Sequence, residues 1–168
     1  SLTAEADIDS ACRRLIYGEN KVCGLTQPEH ALAAASSGAV FGGLIFAQRS
    51  PRCVSVAAAK AITRQFAKLN YVMVFSAHDS ENGEQACNHY ISTQAALGLH
   101  ALQLHDYNPN APETAEFVQQ LRTQLPPHCQ VWFALSGTAP LTDLPALAVD
   151  RFVLDHGQDG TGTSFSWQ

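Results

Sequence analysis

Two hydrophobic rhythms alternate along the chain. Short, almost wholly apolar runs recur at Lys21–Leu25, Ala39–Ala47, Tyr71–Phe75, Leu99–Leu104, Val131–Leu135 and Phe152–Leu154. Runs of that length without polar alternation predict strands covered on both faces. Between them lie stretches with helical signals. Pro28 opens an Ala-rich segment that Gly38 stops, and Pro112-Glu113 opens another that Pro126-Pro127 closes. Residues 55–69 carry Val56, Ala59, Ile62, Phe66 and Leu69 near helical spacing, predicting one helix with those residues on its buried face. Residues 83–97 predict a further helix, and 141–147 a short helix or turn.

The result is six βα-type repeats spaced roughly 20–30 residues apart, which predicts a parallel sheet. Two architectures fit, an open doubly wound sheet and a TIM (β/α)8 barrel. Periodicity does not choose between them, and the repeat count alone favours the open sheet. Residues 1–19 stand outside the repeat. Ala4–Tyr17 reads as an amphipathic helix through Ile8, Cys12, Leu15 and Ile16, and Gly18-Glu19-Asn20 ends it.

Composition narrows the function classes. The 168 residues carry 10 Lys and Arg against 15 Asp and Glu, a formal charge of -5. Without clustered basic residues the chain offers no general surface for nucleic acid or an anionic membrane. Its longest apolar runs, about eight residues, are far short of the roughly 20 a membrane helix needs. The five cysteines (12, 23, 53, 87 and 129) form no C-x-x-C pair and no metal pattern with histidine. Reduced thiols and a cytoplasmic setting are the expectation.

Active sites of parallel β/α folds gather where strands end. At those positions stand Cys23, Arg52, Ser76 to Asp79, Gln103, His105-Asp106, Ser136 and Asp155-His156. Each has an ordinary structural alternative: a core thiol, a solvated loop cation, a hydrogen-bonded rim histidine. Asp155 stands out, because a carboxylate directly after a buried strand needs partners or a shifted pKa. A glycine-rich loop, Gly157 to Gly162, follows it, matching neither dinucleotide nor P-loop spacing. A hinged, ligand-closing loop is the reading it supports. A nucleophilic Cys23 paired with His105 or His156 on an open sheet is a separate possibility.

Five ordered motifs carry a resemblance. They are Lys21-Val22-Cys23-Gly24-Leu25-Thr26; Gly42-Gly43-Leu44-Ile45-Phe46 with Ser50-Pro51-Arg52; Val74-Phe75; Leu102-Gln103-Leu104-His105; and Leu154-Asp155 with Gly160-Thr161-Gly162, Phe165 and Trp167. From about Asn20 to Gln168 the chain resembles phosphoribosylanthranilate isomerase, a TIM barrel of tryptophan biosynthesis. The resemblance implies a (β/α)8 barrel of which six units are present. It implies a bacterial bifunctional parent in which residues 1–19 are the last helix and linker of a preceding indole-3-glycerol-phosphate synthase, a lyase.

The activity implied is the Amadori rearrangement of N-(5-phosphoribosyl)anthranilate, an intramolecular aldose–ketose isomerisation. On the resemblance Asp155 is the general acid at the ribose ring oxygen, and Cys23 is the general base at the adjacent carbon. Arg52 pairs with the anthranilate carboxylate, Gln103 and His105 line the pocket, and Gly160 and Gly162 belong to the substrate loop. No metal or organic cofactor is implied; the partner is the phosphosugar–anthranilate substrate alone, with no nucleic acid and no membrane.

Four positions depart from the family pattern: Asp106 stands where Gly usually follows Gln-Leu-His, and Phe133, Asp159 and Ser166 replace Lys, Gly and Asp. Barrels of this kind usually hold phosphate on the loops after strands seven and eight. The chain by itself is therefore expected to be weak or inactive. The competing reading is a non-catalytic partial barrel that binds a ligand or associates through its open sheet edges.

Overall fold

The computed structural model describes residues 2–79, 83–136 and 146–155. Within them the order is α1 (Leu2–Tyr17), β1 (Lys21–Cys23), α2 (Pro28–Ser36), β2 (Phe41–Ile45), α3 (Val56–Gln65) and β3 (Asn70–Ser76). A 3-10 turn (Ala77–Asp79), α4 (Gly83–Leu97), β4 (Ala101–His105), α5 (Pro112–Gln124), β5 (Gln130–Ser136) and β6 (Arg151–Asp155) follow. The expected turn at 141–147 falls largely outside the described residues.

All neighbouring strands pair parallel, in the sheet order β1-β2-β3-β4-β5-β6. This order decides between the two architectures. A doubly wound sheet reverses its order at a switch point, so that helices cover both faces. Here each crossover steps one strand further in the same direction, and right-handed connections then put every crossover helix on one face. Six parallel strands in this order agree with the barrel architecture that the resemblance implies, and not with the open sheet that the repeat count alone favoured.

The two faces have different chemistry. Outward residues Leu44, Met73, Phe75, Leu102, Leu104, Val131, Phe133 and Leu135 form one core with Ala31, Ala59, Ile62, Phe117, Val118 and Leu121 of the helices. The inward face holds a separate, smaller cluster: Val40, Phe41, Val72, Ala101 and Trp132, with Val153 against it. Phe41 and Trp132 stand on strands three apart, roughly 14 Å on a flat sheet. Their ring centroids are nevertheless 5.0 Å apart, edge to face. Arg151 on β6 reaches the Phe41 ring on β2, 5.5 Å from guanidinium carbon to centroid. The sheet is curled into a half-barrel around these side chains.

Two helices differ from their sequence expectation. α3 is capped by the Ser55 hydroxyl, which accepts from the Ala58 N–H at 3.2 Å, but it ends at Gln65 instead of running on to Leu69. Phe66 leaves helical geometry, and its carbonyl accepts from the Tyr71 hydroxyl. Tyr71 thus holds the chain extended there, and Leu69 reaches the core from the loop; Val56, expected on the buried face, is exposed.

α1 forms as expected, yet its apolar stripe faces away from the sheet: Ile8, Leu15 and Ile16 are 65%, 87% and 69% exposed. Its arginines make the contact. Arg13 donates to the Ala35 carbonyl and pairs with Asp9 at 2.9 Å. Arg14 lies over the Phe41 ring at 5.5 Å, and Glu19 joins Arg14 to Arg151. Among the described residues no helix is long and apolar enough to cross a membrane.

Candidate active site

The C-terminal ends of β1 to β4 surround a cavity of about 700 Å³. It is lined by Cys23, Arg52, Ser76, His78, Asp79, Gln103, His105 and Asp106 among others, so eight residues singled out in the sequence converge on one space.

Cys23 ends β1, half-buried and unbridged, in register with Gly43 of β2. A Cβ at Gly43 would come within 2.7 Å of the thiol sulfur. The glycine therefore clears the space that the sulfur occupies. Gly24 turns the chain sharply with φ +84, its N–H and that of Leu25 both donating to the Gly43 carbonyl. A side chain at Gly24 would collide with the Arg52 guanidinium, which lies across that turn and donates to the Cys23 carbonyl at 3.0 Å. Arg52 reaches this place because its loop folds back on β2: Val54 N–H donates to Ile45 O, and Cys53 N–H to Ser50 O. The Arg52 cation is thus held against the Cys23 backbone through one strand end and the Gly24 turn.

Gln103 sits deeper. Its side-chain oxygen accepts from Lys21, whose ammonium also lies 5.8 Å from the Trp132 ring centroid. Sequence reading missed Lys21, although its position two residues before Cys23 on one strand placed both on the same face. His105 ends β4, one step from Ser76 across the β3–β4 register. Its Nδ1 lies 2.9 Å from Asp106 Oδ1, and the Ser76 hydroxyl donates to Asp106 Oδ2 at 2.7 Å. That pairing commits Nδ1 of the candidate partner imidazole to Asp106 and not to the Cys23 thiol.

Asp155 ends β6 in register with Ser136, at the mouth side of the sheet; its side chain is outside what the structure describes. His156, Gly160 and Gly162 lie outside the described residues, as do Asp159 and Ser166. Phe133 is fully buried on the outer face, so that departure from the family pattern does not touch the cavity. No group of His, Cys, Asp and Glu that would hold a metal occurs among the described residues.

A one-directional parallel βα sheet, curled around its own aromatic floor and lined at the strand ends by a thiol, a guanidinium and an imidazole, has the anatomy of a (β/α)-barrel enzyme. The family model of N-(5'phosphoribosyl)anthranilate (PRA) isomerase matches residues 20–168, and the chain belongs to that family.

The chain is 42% identical to a tryptophan biosynthesis protein TrpCF of Yersinia pestis, over 99% of its own length and 32% of that protein's. It spans about a third of the length of the curated relatives it matches. Among solved structures, phosphoribosyl anthranilate isomerase from Thermus thermophilus superposes with a TM-score of 0.65 at 25% identity, covering 88% of this chain and 67% of that one. A phosphoribosyl anthranilate isomerase in complex with reduced 1-(o-carboxyphenylamino)-1-deoxyribulose 5-phosphate gives 0.55 at 26% identity, covering 70% and 53%.

Proposed function

We propose that the chain carries the catalytic mouth of a phosphoribosylanthranilate isomerase, converting N-(5-phosphoribosyl)anthranilate to 1-(2-carboxyphenylamino)-1-deoxyribulose 5-phosphate. The observation that carries this reading is the convergence of Cys23, Arg52 and His105 on one cavity in a member of this family. Asp155 is the general acid. It protonates the ribose ring oxygen as the furanose opens to a Schiff base. Cys23 is the general base; it removes the proton from the adjacent carbon, giving the enolamine that becomes the ketose amine. Strands one and six carry these groups, and an eight-stranded barrel sets the ends of those strands across one bound sugar. Arg52 offers its planar fork to the anthranilate carboxylate. Gln103 and His105 line the pocket, and Gly160 and Gly162 close over the substrate.

The six strands are, on this reading, the first six of an eight-stranded barrel. Coverage of the outer face supports it: Val22 on the edge strand β1 is 41% exposed and Phe152 and Leu154 on β6 are only half-buried, whereas the outward residues of β3 to β5 are buried. Residues 1–19 belong to a preceding indole-3-glycerol-phosphate synthase unit of a bifunctional, cytoplasmic protein, and 20–168 to the isomerase. The start of the family match at residue 20 supports that boundary.

The test is isomerase turnover, followed by the loss of anthranilate fluorescence, in the full-length polypeptide and in this chain alone. Turnover in the full-length protein that disappears in Cys23→Ala and Asp155→Asn establishes the reading. Turnover unaffected by both substitutions removes these residues from the chemistry. A full-length protein without isomerase turnover that still binds the product analogue would favour a ligand-binding half-barrel.

A further inference from the structure

The most unusual backbone at the cavity belongs to Asp106. It has φ 63 and is the one non-glycine residue with positive φ among the described residues. Glycine would occupy such a position without steric cost, so a carboxylate there calls for a compensating role. Both its oxygens are engaged across two strands. Ser76 at the end of β3 donates to Oδ2, and the same serine oxygen accepts the His78 N–H at 3.2 Å. His105 at the end of β4 approaches Oδ1 through Nδ1 at 2.9 Å. Burial pushes the Asp106 carboxyl up, but the bonds from Ser76 and His105, with His105 and His78 close by, outweigh it and hold the group below the ordinary carboxylate range. It is an anion at neutral pH.

An ionised carboxylate only accepts, so Nδ1 of His105 must carry the hydrogen. The ring is then oriented, and Nε2 is the nitrogen that gains or loses a proton. Among the described side chains the other charged or titratable groups lining the same cavity are His78 and Asp79 after β3, Arg49 and Arg52 after β2, and Cys23 on β1, while the proposed acid Asp155 ends β6 on the mouth side. The cations oppose a charged imidazole, Asp79 favours one, and Asp106 is bonded to the ring directly through Nδ1.

We propose that Asp106 is a positioning residue for the isomerase reaction: it orients His105 and supports its charged form, so that Nε2–H donates to an oxygen of the anionic sugar–amine substrate. This rests on the isomerase reading above. The His105–Asp106 pair acts as a cationic donor beside Arg52, with Ser76 fixing the carboxylate from the adjacent strand.

The test measures the His105 Hε1 titration by NMR in the full-length protein with selectively labelled histidine, alongside the pH profile of kcat/KM. The variants are Asp106→Asn, which keeps the shape, and Asp106→Gly, which suits φ 63 and keeps the fold. The His105 midpoint is expected to move to lower pH in both. The alkaline limb of kcat/KM should move with it, because the cation is lost sooner as pH rises. At pH 7 kcat/KM should fall roughly tenfold in Asp106→Gly, the scale of one charge-assisted hydrogen bond, and less in Asp106→Asn. An unchanged midpoint in Asp106→Asn overturns the proposal, as does an Asp106→Gly protein with the parent's pH profile. A shifted midpoint in a protein without isomerase turnover retains the anchor and overturns the isomerase reading.

Discussion

The inward face of the half-barrel has a floor and a mouth, built from the same strands. At the floor, Lys21, Phe41, Trp132 and Arg151 stack cations on aromatic rings, with Arg151 4.7 Å from the Trp132 centroid and Arg14 of α1 adding another cation beneath. Two residues further along β1 and β2 the inward residues are Cys23 and Gly43, and a cavity of about 700 Å³ opens. Bulk is concentrated at the strand beginnings and withheld at their ends. The difference separates two jobs: large rings fill the space inside the curl, and the small residues Cys23 and Gly43 leave space in which polar groups from the loops can meet a ligand.

Substitutions that strike one layer should spare the other, and the largest effect belongs to the mouth. In the full-length protein, Cys23→Ala and Asp155→Asn should each lower kcat by about 10²–10⁴-fold, the range for losing a general acid or base. Urea midpoints within a few tenths molar of the parent would show that the layer below is intact; kcat near the parent value would break the assignment.

At the floor, Trp132→Ala removes a side chain only 1% exposed and should cost about 3–5 kcal/mol of stability. Denaturant unfolding measures this. A loss under 1 kcal/mol would mean that the aromatic layer does not hold the curl. Arg52→Ala should come next, raising KM roughly tenfold with a smaller change in kcat. A KM equal to the parent's would take the carboxylate away from Arg52.

His100 tests the floor by pH. Its ring packs 5.4 Å from Phe41, and its Nε2 is buried without a hydrogen-bond partner. Burial, together with Arg14 and Arg151, lowers its pKa below the ordinary 6.5, while Gln130 and Glu19 act the other way. The folded protein therefore resists taking up a proton that the unfolded chain accepts. This group contributes nothing adverse above pH 6.5, and stability is lost as pH falls below it. His100→Leu should flatten that part of the stability profile, read from thermal midpoints between pH 7 and pH 5; an unaltered slope would show that other groups set it. The smallest effect should be Glu19→Gln. Its bond to Arg151 is half-exposed, and such a pair contributes about 0.2–1 kcal/mol, diminishing with salt.

Most of the strands were legible because a strand covered on both faces is apolar throughout, whatever surrounds it. The six strands lie where the apolar runs predicted, within about two residues at most ends. Helix ends followed local chemistry where that chemistry was strong, as at Pro28 and Pro112. They failed at Phe66, where a contact from Tyr71 overrides the helical spacing of Phe66 and Leu69. The stripe on α1 was legible as a pattern, but which side meets the sheet was not. Arg13 and Arg14 bind carbonyl and ring partners far away in sequence. Cys23, Arg52, Gln103 and His105 were legible as candidates from their places at strand ends, and the structure brings them to one cavity. Lys21 and the anchoring role of Asp106 were not, since their partners Gln103, Ser76 and His105 are defined by register and curl.

The sequence alone determined the parallel βα repeat, the strand positions, the family and the list of groups at the strand ends. These follow from local polarity and from motif order, which need no neighbours in space. Periodicity left open whether the sheet steps in one direction and curls, which only the resemblance implied, and tertiary structure alone decided which list members share a cavity. Those properties depend on crossovers, pairing and the contact of Phe41 with Trp132 across three strands. A residue's chemistry is carried by its own atoms, but its partners are set by how the chain brings distant segments together.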